Sequence, residues 1–202
     1  MSTVVNLSKG GKKVNLSKPD GSPLKQIQMG LGWDPVKARG FLAGLLGSGS
    51  QGKAIDLDAS CIVLDADKRE IDKIWFSKKI SDCRSIIHNG DNLTGEGEGD
   101  DETIDIDLTK LSARAKYLVL TINSFRGQRF SEVENASCAV YDMQDGRKTK
   151  LAHMNISEKG NHTGMVMVAI ERVDGGWKIN PLGQASAGNV VSDMISVVQA
   201  AL

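Results

Sequence analysis

The sequence contains few cysteines, prolines and aromatic residues. In 202 residues there are three cysteines and four prolines, and aromatic residues make up 4% of the chain. Cys61, Cys83 and Cys138 are odd in number and have no C-x-x-C spacing, so neither a disulfide framework nor a zinc knuckle is predicted. Unpaired cysteines of this kind favour a reducing, cytoplasmic location.

The chain also lacks long apolar runs and an excess of either charge. Its first twenty residues never reach the roughly seven consecutive apolar residues of a signal peptide, and no segment approaches the length of a membrane span. Lys plus Arg and Asp plus Glu number 25 each. The sequence therefore predicts no integral membrane segment and no nucleic-acid partner, and any functional charge must be local.

The apolar pattern predicts many short strands. Twenty-two glycines and several turn clusters interrupt segments that alternate between apolar and polar residues and are rich in β-branched side chains. The predicted strands are Ile55–Leu64, Ile104–Leu108, Tyr117–Phe125, Ala136–Tyr141 and Gly164–Ile170.

Only the C-terminal end has a helical period. Val190, Met194, Val198 and Leu202 recur at every fourth position, and Asn189 is the predicted N-cap. Regular alternation of strands and helices, which would indicate a parallel sheet, is absent. We therefore predict an all-β fold, an antiparallel β-sandwich with a short C-terminal helix, forming a single domain over residues 1–202.

Two segments need separate interpretation. Near the N-terminus, the sequence from Val5 to Lys9 returns from Val14 to Lys18 after a Gly-Gly pair, which predicts a β-hairpin. Residues of about 37–54 are rich in Gly and Ser and are interpreted as an insertion loop. Its large apolar residues could contact a membrane or a partner protein, or form one helical turn packed on the sandwich. These residues are Phe41, Leu42, Leu45 and Leu46.

An acidic, glycine-rich stretch from Gly90 to Glu102 carries the main functional signal. No basic residue lies between Arg84 and Lys110, whereas eight acidic residues do. Two carboxylates about 4 Å apart repel by roughly 4 kcal/mol at an effective dielectric constant of 20, so a folded acidic loop needs a cation. The alternative is a disordered acidic linker. The strand that follows, with Ile104 and Ile106 facing inward and Asp105 and Asp107 outward, indicates that the loop is part of the fold.

Calcium suits this stretch, because it prefers oxygen ligands and the glycines allow the chain to curve around an ion. The twelve residues from Asp91 to Glu102 do not form an EF-hand, since Leu93, Gly95 and Glu96 occupy its third, fifth and sixth positions. The predicted ligands from this loop are Asp91, Asn92, Thr94, Glu96, Asp100, Asp101 and Glu102.

A second source of ligands is the strand that contains Asp56 and Asp58. Period-two geometry places both carboxylates on one face, while Ile55, Leu57 and Ala59 turn to the other. The alternative interpretation is a solvated polar face. Asp34 is a weaker candidate of the same kind.

Three motifs together resemble the TerD-domain tellurium-resistance family: GLGWD at 30–34, DLDAS at 56–60 and GDN-x-TGEG-x-GDDE at 90–102. The WDPVK sequence and the insertion that follows are similar to the TerZ-like members. The resemblance implies a bacterial, calcium-binding β-sandwich that holds two Ca²⁺ ions and acts in tellurium resistance and stress response. Its implied partners are other tellurium-resistance proteins and a membrane-associated complex. The ligands carried over are Asp56, Asp58, Asp91, Asn92, Glu96, Asp100, Asp101 and Glu102, with Thr94 and loop carbonyls assisting.

Three functions follow as hypotheses. The first is a non-catalytic calcium-binding or scaffold module. The second is a metal-dependent, phosphoesterase-like hydrolase, suggested by Asp56-x-Asp58, although the apolar part of the strand follows the aspartates instead of preceding them. The third is thiol chemistry on tellurium oxyanions, for which Cys83 beside Arg84 is the best placed cysteine. The three histidines share no metal-ligand spacing and are predicted to be structural or surface residues.

Overall fold

In the computed structural model the described residues are 4–18, 21–35, 55–95, 99–143, 146–156 and 160–202. They form two six-stranded sheets. The insertion loop predicted at about 37–54 lies outside the described residues. No helix in the described ranges is both long and apolar enough to cross a membrane.

The first sheet has the strand order β1-β10-β9-β3-β7-β6. Its strands are β1 (Val5–Asn6), β3 (Gln26–Pro35), β6 (Ile86–His88), β7 (Glu102–Asp107), β9 (Val133–Asp142) and β10 (Thr149–Asn155). The second sheet has the order β2-β12-β11-β8-β4-β5. Its strands are β2 (Val14–Leu16), β4 (Leu57–Leu64), β5 (Glu70–Ile74), β8 (Tyr117–Ser124), β11 (Gly164–Val173) and β12 (Gly176–Ser186).

Pairing is antiparallel except between β1 and β10. The main core lies between the sheets and takes alternate residues from each strand, as period-two geometry requires. In β7, for example, Ile104 and Ile106 are buried, whereas Asp105 and Asp107 are only partly buried. The predicted β-sandwich, and the predicted facing of this strand, are confirmed.

The N-terminal hairpin prediction is wrong. β1 pairs with β10 in one sheet, and β2 pairs with β12 in the other. The two copies of the repeat are strands, but each extends a different sheet of the sandwich. A local repeat shows which residues favour extended backbone, and it does not show which edge each copy will reach.

The C-terminal helix covers the outer face of the second sheet. A 3₁₀ turn (Val191–Met194) leads into α1 (Ile195–Ala201). Their buried side chains pack on outward residues of β4, β8 and β11, so β4 is buried on both faces. The predicted cap is different in detail, because Asp193 Oδ2 accepts the backbone N–H groups of Asn189 and Val190 at 3.1 and 3.2 Å.

Met194 is the residue that best tests this packing. Its side chain is fully buried in the outer cluster, over Gly164 and Gly188, whose missing Cβ atoms leave room for the thioether sulfur. Met194→Ala should lower the free energy of unfolding by about 2–5 kcal/mol, because it leaves a cavity. Ser196→Ala, at an exposed position of α1 two residues further along, should change it by less than about 0.5 kcal/mol. Chemical denaturation measures both, and equal losses would contradict the packing.

Candidate metal centre

Three aspartates from two separate parts of the chain lie close together in the folded protein. Asp56 directly precedes β4, Asp58 lies within it, and Asp91 follows β6. One carboxylate oxygen from each lies within 4.8 Å of the others. Asp56 and Asp58 are buried and Asp91 is exposed. The sequence predicted all three as ligands, and this is the one group of three or more metal-ligating side chains in the described part of the chain.

The cluster is electrostatically unfavourable without a cation. Burial, followed by the neighbouring Glu102, Asp56 and Asp91 carboxylates, raises the pKa of Asp58 to about 8. Burial also raises the pKa of Asp56, although the nearby Arg126 acts in the opposite direction. Charged carboxylates are costly in this place because they have lost water and face one another. A bound cation would remove that cost.

Arg126 is the basic residue that sequence reasoning missed. Its Nε atom lies 2.9 Å from Asp56 Oδ2, and about half of its side chain (52%) is exposed. The other oxygen, Asp56 Oδ1, is buried and has no hydrogen-bond partner among the residues that the structure describes. A buried carboxylate oxygen without a partner is uncommon, and it is the position from which a metal ligand would act.

Glu102 and His88 close an open edge of β4. Among the described residues, β5 pairs with the Cys61–Leu64 half of β4, and no described strand lies on that side of the first half. There, Ala59 N donates to Glu102 Oε2 at 2.8 Å, and His88 Nε2 lies 3.2 Å from Ala59 O. Gly90 N donates to His88 Nδ1 at 3.3 Å, which leaves the proton of a neutral ring on Nε2. The two side chains thereby replace a missing strand.

Glu102 therefore has a structural role beside the cluster. Its Oε1 accepts the backbone N–H of Asn92 at 3.1 Å, and its Oε2 also lies 3.4 Å from His88 Nε2. The side chains of Glu102 and His88 are fully buried. Glu102 faces the interior, and its carboxylate is one of the neighbouring groups that raise the pKa of Asp58. Its predicted role as a ligand stays a prediction.

Asn92 and Asp101 organise the acidic loop. Asn92 Oδ1 accepts the backbone N–H groups of Thr94 and Gly95 at 3.0 and 3.1 Å. Asn92 Nδ2 donates to Asp101 Oδ1 at 2.9 Å, and Trp33 N donates to Asp101 Oδ2 at 2.8 Å. These predicted ligands are engaged with the chain itself, which fixes the path of the loop against β3.

Asp100 lies apart from the three aspartates, on the outer face of the first sheet. Tyr141 Oη donates to its Oδ1 at 3.1 Å, and Lys148 Nζ lies 2.8 Å from its Oδ2. A Cβ atom on Gly30 would come within 2.2 Å of the Asp100 Cγ atom, so the glycine makes room for this carboxylate. Asp100 already has a cation in Lys148. Glu96, another predicted ligand, lies outside the described residues.

A row of buried oxygens continues from the cluster across β4 and β8. Within the described part of the chain, Ser60 Oγ, Thr121 Oγ1 and Asn123 Oδ1 have no hydrogen-bond partner. Asn123 Nδ2 donates to Asp58 Oδ2 at 3.0 Å and to Asn189 O at 2.8 Å, so it links the cluster to the C-terminal segment.

Comparison with known proteins places the chain among relatives of one kind. A family model described as "TerD domain" matches residues 3–196. The chain is 48% identical over 189 residues to tellurium resistance protein TerZ of Serratia marcescens, with 94% of each chain covered. It is 35% identical over 201 residues to stress response protein SCP2 of Bacillus subtilis (strain 168), with 95% of this chain and 98% of that protein covered.

A solved structure shares the fold at low sequence identity. It is the crystal structure of a homologue of telluride resistance protein (TerD) from Streptomyces coelicolor A3(2), with a TM-score of 0.68 and 18% identity. The match covers 87% of this chain and 98% of that chain.

The raised pKa of Asp58 has a measurable consequence. In the folded protein, burial above all raises the pKa of Asp58 from the ordinary value of 3.8 to about 8. The unfolded chain therefore gains relative stability as pH rises from about 4 to about 8, and the metal-free protein becomes less stable. Asp58→Asn, which imitates the neutral acid, should remove that loss. Urea denaturation in chelator across this pH range measures it.

Asp107 provides a control, because its pKa is shifted in the direction opposite to that of Asp58. A hydrogen bond from Thr109 and the nearby Lys110 lower its pKa, so its ionised form stabilises the fold at neutral pH, and that contribution is lost as pH falls. Asp107→Asn should therefore lower stability near neutral pH. If Asp58→Asn and the unsubstituted protein have the same pH dependence, the account of the cluster is wrong.

Gly95 tests how the loop packs. It has a φ of +67°, and a Cβ atom there would lie 2.2 Å from Trp33 Nε1. Gly95→Ala should cost at least about 1–3 kcal/mol of stability through backbone strain and the displaced indole. Gly90→Ala is the matched control, because a Cβ atom at Gly90 meets nothing within 4 Å. Thermal denaturation compares the two, and equal effects would contradict this packing.

Proposed function

The chain belongs to the TerD domain family of tellurium-resistance and stress-response proteins, and we propose that it acts there as a calcium-binding module without catalytic activity. The observation that carries the proposal is the meeting of Asp56, Asp58 and Asp91 around an unpartnered buried oxygen, Asp56 Oδ1. Membership of the family is shown, and the calcium chemistry is the proposal.

Calcium fits the donor set better than other common metals. Every candidate ligand offers oxygen, and softer metals prefer nitrogen or sulfur. The mixture of buried and exposed carboxylates suits the flexible, partly hydrated coordination of Ca²⁺, whereas Mg²⁺ demands a stricter octahedron. Bound calcium would supply the positive charge that lets Asp58 ionise at neutral pH. In the protein itself, Glu102 and Asn92 hold the backbone that carries Asp58 and Asp91.

One ion is proposed at the cluster of Asp56, Asp58 and Asp91. A second ion, implied by the resemblance, would draw on Asp101, whose pKa is raised by burial and by neighbouring carboxylates that include Asp34. Glu96 could also contribute to that ion. The second ion therefore remains a prediction. The module is further proposed to be cytoplasmic and to bind other tellurium-resistance proteins, with a membrane-associated complex as the docking site.

The hydrolase alternative finds little support at the cluster. The imidazole of His88, which a hydrolase could use as a base, is buried and lies within 3.4 Å of Ala59 O and Glu102 Oε2. The half-exposed Arg126 guanidinium, paired with Asp56, is the group that would contact a phosphate in such a hydrolase. Phosphoesterase turnover that Asp58→Asn abolishes would replace the proposed function with this one.

The thiol alternative rests on Cys83 alone. Burial raises the pKa of Cys61 and raises that of Cys138 to about 12, so both thiols are protonated and shielded. Cys83 is exposed. Its Sγ lies 2.9 Å from Ser85 Oγ, and hydrogen bonds from Ser85 and Ser81 lower its pKa although burial opposes them. Loss of tellurite resistance in Cys83→Ser with unchanged calcium binding would favour thiol chemistry.

Calcium titration by calorimetry, with melting temperature as a second measurement, tests the proposal. Saturable binding is expected, and calcium at about 100 times its Kd should add about 2.7 kcal/mol of stability. The double variant Asp56→Asn, Asp58→Asn should lose both effects. Asp100→Asn should keep them, because Asp100 lies on the other face of the first sheet with Lys148.

Two results would count against this proposal. Absence of saturable binding by the unsubstituted protein would remove calcium from its function. Equal loss in Asp100→Asn and in the double variant would show that calcium binding does not depend specifically on the cluster of Asp56, Asp58 and Asp91. Magnesium at the same concentrations is the comparison ion.

A further inference from the structure

Arg126 occupies the place of a cation at the aspartate cluster. Among the residues that the structure describes, it is the one basic side chain in an ion pair with Asp56, Asp58 or Asp91. Its guanidinium holds only Asp56 Oδ2, while Oδ1 of the same carboxylate stays buried and unpartnered. One positive charge therefore faces three carboxylates and satisfies one oxygen.

Arg126 lies in a turn whose two ends are held by hydrogen bonds and whose middle residues are exposed. Ser124 N donates to Thr163 O at 2.7 Å, and Ser124 Oγ donates to Gln128 Oε1 at 2.7 Å. Between these anchors, Phe125, Arg126 and Gly127 are exposed. Gly127 has a φ of +76° and donates its N–H to Ser124 O at 3.1 Å, which closes the turn. The guanidinium can therefore leave Asp56 for water without disturbing β8.

We propose that Arg126 is the resident counterion of the cation site and sets its affinity for calcium. This inference rests on the proposed function. Without calcium, the guanidinium stabilises the ionised Asp56 carboxylate. When calcium binds, Arg126 gives up Asp56 or stays near a second positive charge, and either change weakens binding. Arginine keeps its charge at all physiological pH values, so this competition does not depend on its own protonation.

The proposed role and an ordinary stabilising salt bridge predict different changes in calcium affinity when Arg126 is replaced. A purely structural pair predicts that losing Arg126 lowers stability and leaves calcium affinity unchanged or weaker. A competing counterion predicts that losing Arg126 destabilises the metal-free protein and tightens calcium binding. Measuring metal-free stability and affinity on the same variants separates the two.

Arg126→Gln is the informative variant, because the amide can still donate to Asp56 but carries no charge. It should lower the melting temperature in chelator and decrease the Kd for calcium by at least about tenfold. Arg126→Lys, which keeps the charge, should bind calcium within about threefold of the unsubstituted protein. Arg129→Gln controls for net charge, since the Arg129 guanidinium contacts Asn161 Oδ1 at 3.3 Å. It should leave the Kd unchanged.

The outcomes separate this inference from the proposed function. If the unsubstituted protein binds calcium and Arg126→Gln binds it no more tightly, the counterion role is wrong and the calcium site stands. Equal tightening in Arg129→Gln would also overturn it, because net charge would then explain the effect. If neither the unsubstituted protein nor Arg126→Gln binds calcium, the proposed function fails and the inference fails with it.

Discussion

The open edge of β4 is the constraint on which the rest of the site depends. β5 covers only half of that strand, and a buried strand edge with unpaired N–H and C=O groups is costly. The chain satisfies Ala59 with a carboxylate and an imidazole in place of a further strand. That solution places Glu102 in the interior next to Asp58. The charge conflict of the cluster thus follows from how the second sheet ends.

Negative charge gathered in this way needs compensation, and the protein uses several means. Asp58 retains its proton to a higher pH than an ordinary aspartate, Asp56 pairs with Arg126, and Asp100 is drawn away by Lys148. A bound divalent cation would replace the proton on Asp58 and the Arg126 charge beside Asp56. In the proposed function, the exchange of these compensating groups for calcium is the change to which the module would respond.

Secondary structure was predictable where one residue pattern allowed one packing. In β7 the alternation of isoleucine with aspartate defines an inner and an outer face, and the structure has both. The N-terminal repeat was predicted less well. Its two copies were expected to pair because they are adjacent and similar, but each reaches a different sheet, since edge strands are placed by the neighbours that remain unpaired.

The sequence alone determined the all-β class and the family, because alternation and three acidic or glycine-rich motifs are local properties of the chain. It also placed Asp56 and Asp58 on one face, since that follows from strand geometry. The tertiary structure decided which charges meet. Arg126 pairs with Asp56 from a turn after β8, and His88 binds the backbone of Ala59 beside the cluster, whereas Asp100, only nine residues from Asp91, lies on another face. Charged groups interact according to their distance in space, and the spacing of residues in the sequence determines that distance only within a single strand, helix or turn.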